Sequence, residues 1–395
     1  MERYKLNRWL VVLGAILLQV CLGSIYSWSL FNQPLIDKFG WEKSSVVLTF
    51  SIAIAMFAFS TIFAGKLQDK IGPKKVSILG GILFGLGLIL SSRATSLIEL
   101  YIFYGIIGGA GVGVTYVGPL TTCVKWFPEK RGFITGIAVG SFGLGSLIFK
   151  SIILSLISAK GVSQTFLFLG IINMILIVFG AQFLILPPKD YKAPKSIKYN
   201  DNKDFTVRQM INTKQFYLVW IVYFFGCISG LLVIGLAKDI GIELVKLSPG
   251  VAAGTVTMIA LFNAGGRITW GIVSDKIGRI KSFLIIYIST SIAMIIMSLI
   301  NMNFIIFFAC IATVAFSFGG VVTVVPAITA DYYGVKNLGS NYGIVFQAFG
   351  IAAIAGPIIA ALLGLEKSFL VAAILSIISA IMVLFVKPPC FCKLN

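Results

Sequence analysis

Histidine is missing from all 395 residues, and aspartate and glutamate together number only 14. The first absence removes imidazole metal sites, His-based catalytic triads and His proton relays at one stroke. Charged residues are 12% of the chain, about half of the ~25% usual in soluble domains, too little to cover a water-facing surface of this size. Six cysteines are too sparse for a disulfide-stapled fold. The 41 glycines follow no three-residue period and prolines number 12, which excludes collagen-like and low-complexity chains. What is abundant is apolar: 58% of residues, with a mean hydropathy of +0.99. These proportions describe a polytopic membrane protein.

Crossing ~30 Å of hydrocarbon as a helix takes ~20 mostly apolar residues. Twelve stretches qualify and are taken as spans 1 to 12: 9–31, 44–65, 76–92, 97–120, 133–158, 164–186, 215–237, 250–273, 282–300, 303–330, 341–363 and 368–386. Their uniform apolarity argues against barrel strands, which alternate apolar with polar. The expected fold class is all-α, with twelve transmembrane helices. The first stretch is too long for a signal-peptide core and lacks a cleavage site, so it reads as a retained helix.

Lysine and arginine set the orientation. Segments on the side of the N-terminus hold 3, 4, 3, 7, 3, 1 and 2 of them, or 23, against 2, 1, 1, 2, 0 and 1, or 7, on the other. Lys150 and Arg267 lie inside spans. The expectation is a multi-pass cell-membrane protein with both termini cytoplasmic. The net charge of +18 is then a positive-inside signature aided by anionic lipid at the cytoplasmic face, with no nucleic-acid partner.

The chain also repeats itself. Gly65-Lys66-Leu67-Gln68-Asp69-Lys70-Ile71-Gly72-Pro73-Lys74-Lys75 after span 2 returns as Gly271-Ile272-Val273-Ser274-Asp275-Lys276-Ile277-Gly278-Arg279-Ile280-Lys281 after span 8, an offset of 206. Pro119 matches Pro326, and Gly136…Ser141-Phe142-Gly143 matches Gly343…Ala348-Phe349-Gly350, at 207. Two echoes at nearly one offset imply two six-helix halves of like topology, residues 1–186 and 215–395. Residues 187–214 hold 7 basic and 3 acidic residues and read as a solvated cytoplasmic linker, with a short surface helix at Asp204–Met210.

The loop pattern and its repeat resemble the major facilitator superfamily across the whole chain. Tyr26-Ser27-Trp28-Ser29-Leu30, Lys125-Trp126-Phe127-Pro128-Glu129-Lys130-Arg131-Gly132 and Asn263…Gly266-Arg267…Trp270-Gly271 further resemble the oxalate/formate antiporter family, relatives of the monocarboxylate transporters. The resemblance implies a secondary carrier of small carboxylates such as pyruvate, lactate, formate or oxalate, working by alternating access.

None of the 14 acids falls in the hydrocarbon interior, Glu99 standing at the very start of span 4; 8 lie on the cytoplasmic side and 6 on the external one. A charge at the centre of a spanning helix costs ~2.5–3.5 kcal/mol on insertion scales, so an interior cation faces a cavity or a partner. With no interior carboxylate, a cavity neutralised by an anionic ligand is the direct reading. Arg267 lies eight residues before Asp275, ~12 Å along the helix, and its planar fork suits a carboxylate. The resemblance makes it the substrate-binding arginine of span 8; the alternative is a structural arginine bonded to helix-end carbonyls. Lys150 is either a second cation in the pathway or an ammonium snorkelling outward. The oxalate exchanger carries a second lysine where this chain has Phe349, which favours monocarboxylates here. Proton-coupled monocarboxylate carriers place an aspartate where Asn263 stands, four residues before the arginine, so proton symport through this pair is disfavoured.

Tyr26, Trp28, Tyr116, Phe318, Gln347 and Phe349 are the further lining candidates, with packing as the alternative for each aromatic ring. Gly105, Gly109 and Gly113, like Gly136 and Gly140, put small residues on one helix face for close helix packing. Asp69 and Asp275 are expected to join a cytoplasmic latch with helix N-termini and basic residues, Arg131, Lys70 and Lys276 being the candidate partners. Cys390-Phe391-Cys392 reads as an inert tail, with lipidation or metal binding as the alternatives. No metal, cofactor or catalytic set is expected, and a monomer is. The competing readings are an oxalate/formate-type exchanger, a cation or drug exporter, which needs an interior acid, and a membrane carboxylate sensor that transports nothing.

Overall fold

A computed structural model describes residues 7–188, 191 and 204–389. Half of the linker and the Cys390–Cys392 tail lie outside the described residues. Within them every regular element is a helix and none is a strand. Ten helices are long and apolar enough to cross a membrane. One of these, Pro128–Ala181, turns at Gly161 (φ +77°) and so holds spans 5 and 6. Pro249–Ile277 supplies span 8, at 29 residues, and completes the twelve.

The helices are longer than hydropathy alone defines, because polar helix ends continue past the hydrocarbon. Span 2 is Lys43–Ile71, span 3 Pro73–Ser91, span 9 Arg279–Leu299 and span 10 Phe304–Tyr333. Gly72 (φ +90°) and Gly278 (φ +93°) make the matching sharp turns between spans 2 and 3 and spans 8 and 9. A side chain there would be strained, which is why glycine ends both copies of the loop motif. Three spans are irregular. Span 1 runs Arg8–Gly23, tightens into a 3₁₀ turn at Ser24–Ser27, and resumes as Ser29–Phe39. Span 4 widens into a π-helix at Tyr101–Gly108. Span 11 is Leu338–Val345 and Gln347–Leu363, interrupted at Phe346.

Serine and threonine inside the spans meet the demand that no polar group face lipid unpaired. Thr115, Thr121, Thr290 and Thr329 each donate to the carbonyl four residues earlier. Large apolar side chains such as Leu13, Phe63, Ile175 and Ile305 are more than half exposed, as lipid-facing residues are.

The chain forms two compact units. The first holds residues 1–129, 141–204 and 335–344; the second holds 130–140, 205–334 and 345–395. In the first, span 4 packs against spans 1, 2 and 3. In the second, span 10 packs against spans 7, 8 and 9, with an apolar core that includes Leu232, Ile259, Met294, Phe307 and Phe369. The short helix expected in the linker forms at Val207–Ile211. Phe205 before it and Met210 within it are fully buried, Phe205 edge-on to Tyr333, so it is docked on the second unit.

Candidate functional site

The two repeated aspartates occupy equivalent settings, each at a helix N-terminus. The first turn of a helix leaves backbone N–H groups without intrahelical acceptors, and a carboxylate there gains both hydrogen bonds and the dipole. In the first unit, Asp69 Oδ2 accepts from the Ser340 N–H at 2.8 Å and from the Ser340 hydroxyl at 2.7 Å, in the opening turn of Leu338–Val345. Lys125 Nζ stands 3.9 Å from Asp69 Oδ1. In the second unit, Asp275 accepts from the N–H groups of Gly132 at 2.9 Å and Phe133 at 2.8 Å, in the first turn of span 5.

Glycine allows these approaches. A Cβ on Gly65 would collide with the Gly339 carbonyl, and one on Gly271 with the Gly132 carbonyl. Each motif glycine therefore lies backbone to backbone with the helix whose N-terminus its aspartate holds.

The second setting carries more charge. Arg279 Nη1 is 2.7 Å from Asp275 Oδ1, and its Nε donates to Asp331 Oδ2 at 2.9 Å. Arg131 Nη1 donates to Asp331 Oδ1 at 2.9 Å. Two carboxylates and two guanidiniums thus alternate. Arg131, a candidate partner for the motif aspartates, is placed on Asp331. Lys70 and Lys276 are exposed; the cation beside Asp69 is Lys125, and the one on Asp275 is Arg279. Ser340, Lys125, Arg279 and Asp331 were not singled out from sequence. Asp331 had little signal, because its counterpart one repeat earlier is Val124.

The segment Lys125–Gly132 proves to be a junction at which successive residues face different partners. Trp126 Nε1 donates to the Ile185 carbonyl at 2.6 Å, and Tyr191 lies edge-on to the Trp126 ring at 4.9 Å. The Arg8 guanidinium sits 4.2 Å from the centre of the Phe127 ring and bonds Glu129 at 2.6 Å. All of these belong to the first unit, whereas Arg131 and Gly132 belong to the second.

Arg267 is 3% exposed, and its Nη1 donates to the Val139 carbonyl. Its stem runs past Gly319, where a Cβ would lie 3.2 Å from the arginine Cγ. One turn earlier, the Asn263 amide donates to the Ala315 carbonyl at 3.3 Å and ties span 8 to span 10. Phe318, on span 10, is buried with its ring against Gly230. Phe349 is buried and stacked on Phe346 at 4.9 Å, and Gln347 opens the second part of span 11 half-buried. All six side chains are in the second unit.

Tyr26 and Tyr116 come together in the first unit, edge-on to one Phe142 ring at 5.2 and 5.5 Å, with Phe57 5.1 Å from Tyr116. Trp28 lies in a separate aromatic group, 4.3 Å from Tyr104 and 6.3 Å from Phe166. Lys150 is exposed, in a stretch of helix where Ile148, Ile152 and Leu154 are exposed as well.

The family model for the Major Facilitator Superfamily matches residues 11–237 and 225–390. The chain is 39% identical to the uncharacterized MFS-type transporter YhjX of Escherichia coli over 354 residues, 89% of this chain and 87% of the relative. It is 33% identical to the oxalate:formate antiporter of Oxalobacter formigenes over 388 residues, 97% of this chain and 92% of the other. The solved human organic anion transporter MFSD10 superposes with a TM-score of 0.75 over 95% of this chain and 99% of the other, at 16% identity, a likeness of fold.

Proposed function

The chain belongs to the Major Facilitator Superfamily, in the group that resembles the oxalate:formate antiporter, and we propose that it carries small monocarboxylates such as pyruvate, lactate or formate by alternating access. One observation carries the reading. Arg267 is buried about 12 Å up its helix from the loop motif, where its Nη1 donates to the Val139 carbonyl. Among the described residues the acids stand at the ends of spans or in the segments between them. A guanidinium in that position keeps its full charge and offers a carboxylate two parallel hydrogen bonds.

In this reading the carboxylate competes with the Val139 carbonyl for the Arg267 fork. Asn263 fixes the helix beside it and takes up no proton. Tyr26, Trp28, Tyr116, Phe318, Gln347 and Phe349 shape the pathway, and Lys150 adds positive field. Phe349 stands where the related exchanger has a lysine, so one cation meets one carboxylate, and formate, lactate and pyruvate fit better than oxalate. The moving parts are the two halves, 1–186 and 215–395. Asp69 and Asp275 lock the helix ends on the side of the termini, which the lysine and arginine distribution puts in the cytoplasm. The protein works as a monomer in the cell membrane.

Counterflow of labelled pyruvate, lactate, formate and oxalate into proteoliposomes, with and without a pH gradient, tests the proposal. Saturable exchange of a monocarboxylate that persists without the gradient is the expected result. Exchange of organic cations but of no carboxylate would overturn it.

A further inference from the structure

Spans 3 and 6 bound a groove of about 550 Å³ on the first unit, lined by Ile82, Met174, Ile175, Val178, Phe179 and Gln182. Its floor is a close helix contact: a Cβ on Gly85 would lie 2.5 Å from Met174 Cβ and 2.9 Å from the Gly170 carbonyl. Its walls are side chains left open to the surroundings, with Ile175 59% and Phe179 58% exposed.

The groove has a polar end. On span 3, Lys75, Leu79, Ile82 and Leu86 are all exposed. Their spacing of four, three and four residues keeps them on one helix face. Lys75 precedes Ile82 by seven residues, which is ~10 Å along the axis and ~20° around it. Lys74 is exposed beside it. On span 6, Gln182 follows Ile175 by the same seven residues and is the one polar side chain of the lining. Span 3 begins at the end where span 6 finishes, so Gln182 and the two lysines share that end. Residues 73–92 and 164–188 contain no aspartate or glutamate, so neither helix supplies a counter-charge to the lysines.

We propose that this groove is a binding site for an anionic phospholipid of the leaflet on the side of the termini. One acyl chain lies along Ile82, Ile175, Val178 and Phe179, and Lys74 and Lys75 hold the headgroup phosphate. The charge pattern selects this occupant over a zwitterionic lipid, because two lysines for which neither bounding helix carries an acid stand where the headgroup must lie. It selects lipid over a second copy of the chain, because a dimer seam here would bring like lysines together without acids. The site is independent of the transport reading and stands or falls without it.

The test is native mass spectrometry of the full chain, reconstituted in vesicles of equal phosphatidylglycerol and phosphatidylcholine and then released. The expected result is one phosphatidylglycerol retained per monomer after other lipids are stripped. The double variant Lys74→Gln/Lys75→Gln should lower retention about thirty-fold, the electrostatic contribution of two lysines near an anionic surface. Ile82→Trp/Val178→Trp, which fills the groove, should abolish retention while the lysines remain. The lysine variant changes only exposed side chains, so it decides the matter even where the filled groove impairs folding. Equal retention of both lipids, or undiminished phosphatidylglycerol in the lysine variant, overturns the proposal. So does a lipid-free dimer that the tryptophan variant converts to monomer.

Discussion

Arg267 and Lys150 are the two cations placed within the spans by hydropathy, and their surroundings separate them. Arg267 is 3% exposed and bonded to a backbone carbonyl; Lys150 is exposed. A desolvated guanidinium–carboxylate pair is worth several times an exposed pair, which contributes only ~0.2–1 kcal/mol. Arg267→Lys keeps the charge but loses the fork. It should reduce counterflow at least about ten-fold, the cost of one charge-assisted hydrogen bond. Arg267→Gln should abolish counterflow and also the rise in melting temperature that substrate gives the wild type, while the protein stays inserted. Lys150→Gln should keep measurable flux. Equal loss in the two glutamine variants would make Lys150 a full ligand, and normal uptake by Arg267→Gln would remove the anchor. Arg267 was legible because a lone charge in an apolar run has few explanations. The aromatic candidates were not separable in that way. Tyr26 and Tyr116 share the Phe142 ring while Trp28 packs elsewhere, and which ring meets which is a matter of packing that apolarity leaves open.

At the scale of elements, the ends of helices carry the organised charge. Asp275, Arg279, Asp331 and Arg131 form an alternating network whose side chains are 7–17% exposed, whereas Asp69 relies on Ser340 and a more distant lysine. Removing one member of a buried network leaves its partners uncompensated, typically at ~3–5 kcal/mol. Asp331→Asn leaves two guanidiniums facing an amide and should lower the thermal stability of the purified protein by about that much. Asp69→Asn keeps an oxygen for the Ser340 amide and should cost nearer ~1 kcal/mol. Similar melting temperatures for the two variants would contradict this ranking. In proteoliposomes Asp69→Asn and Asp275→Asn should slow turnover more than they weaken substrate binding. Abolished binding with unchanged cysteine accessibility at the helix ends would show that they are not a latch. The motif aspartates were legible because the motif repeats. Their partners were not, since Ser340 and Gly132 are reached only through folding. The breaks at Ser24–Ser27 and Phe346 also escaped the hydropathy pattern, because an interrupted helix is as apolar as a continuous one.

At the scale of the molecule, the repeat explains more than the span count. The segments 130–140 and 335–344 each join the unit built mainly from the other half of the sequence, and they are counterparts at the offset of 207. Each brings a helix N-terminus to the aspartate of the opposite repeat. Where the halves differ, function is the physical reason to look for. Gly136 packs against the Arg267 backbone and its counterpart Gly343 against Thr61, so Thr61 holds the place of Arg267 in the first half. In the proposed reading the cationic site is one-sided, and Phe349, stacked on Phe346, does not add a second positive charge. A dicarboxylate would bring one charge more than Arg267 can neutralise, and the surplus would be desolvated without a partner. Lactate, pyruvate or formate should therefore outcompete oxalate in counterflow. Phe349→Lys, which restores the lysine of the related exchanger, should raise the oxalate-to-lactate ratio by about ten-fold, the fraction of a buried charge–charge interaction that survives the cost of burying the lysine. Oxalate displacing both lactate and pyruvate in the wild-type protein would sink the charge-matching argument. An unchanged ratio in an active Phe349→Lys variant would show that selectivity is set by the shape of the pathway.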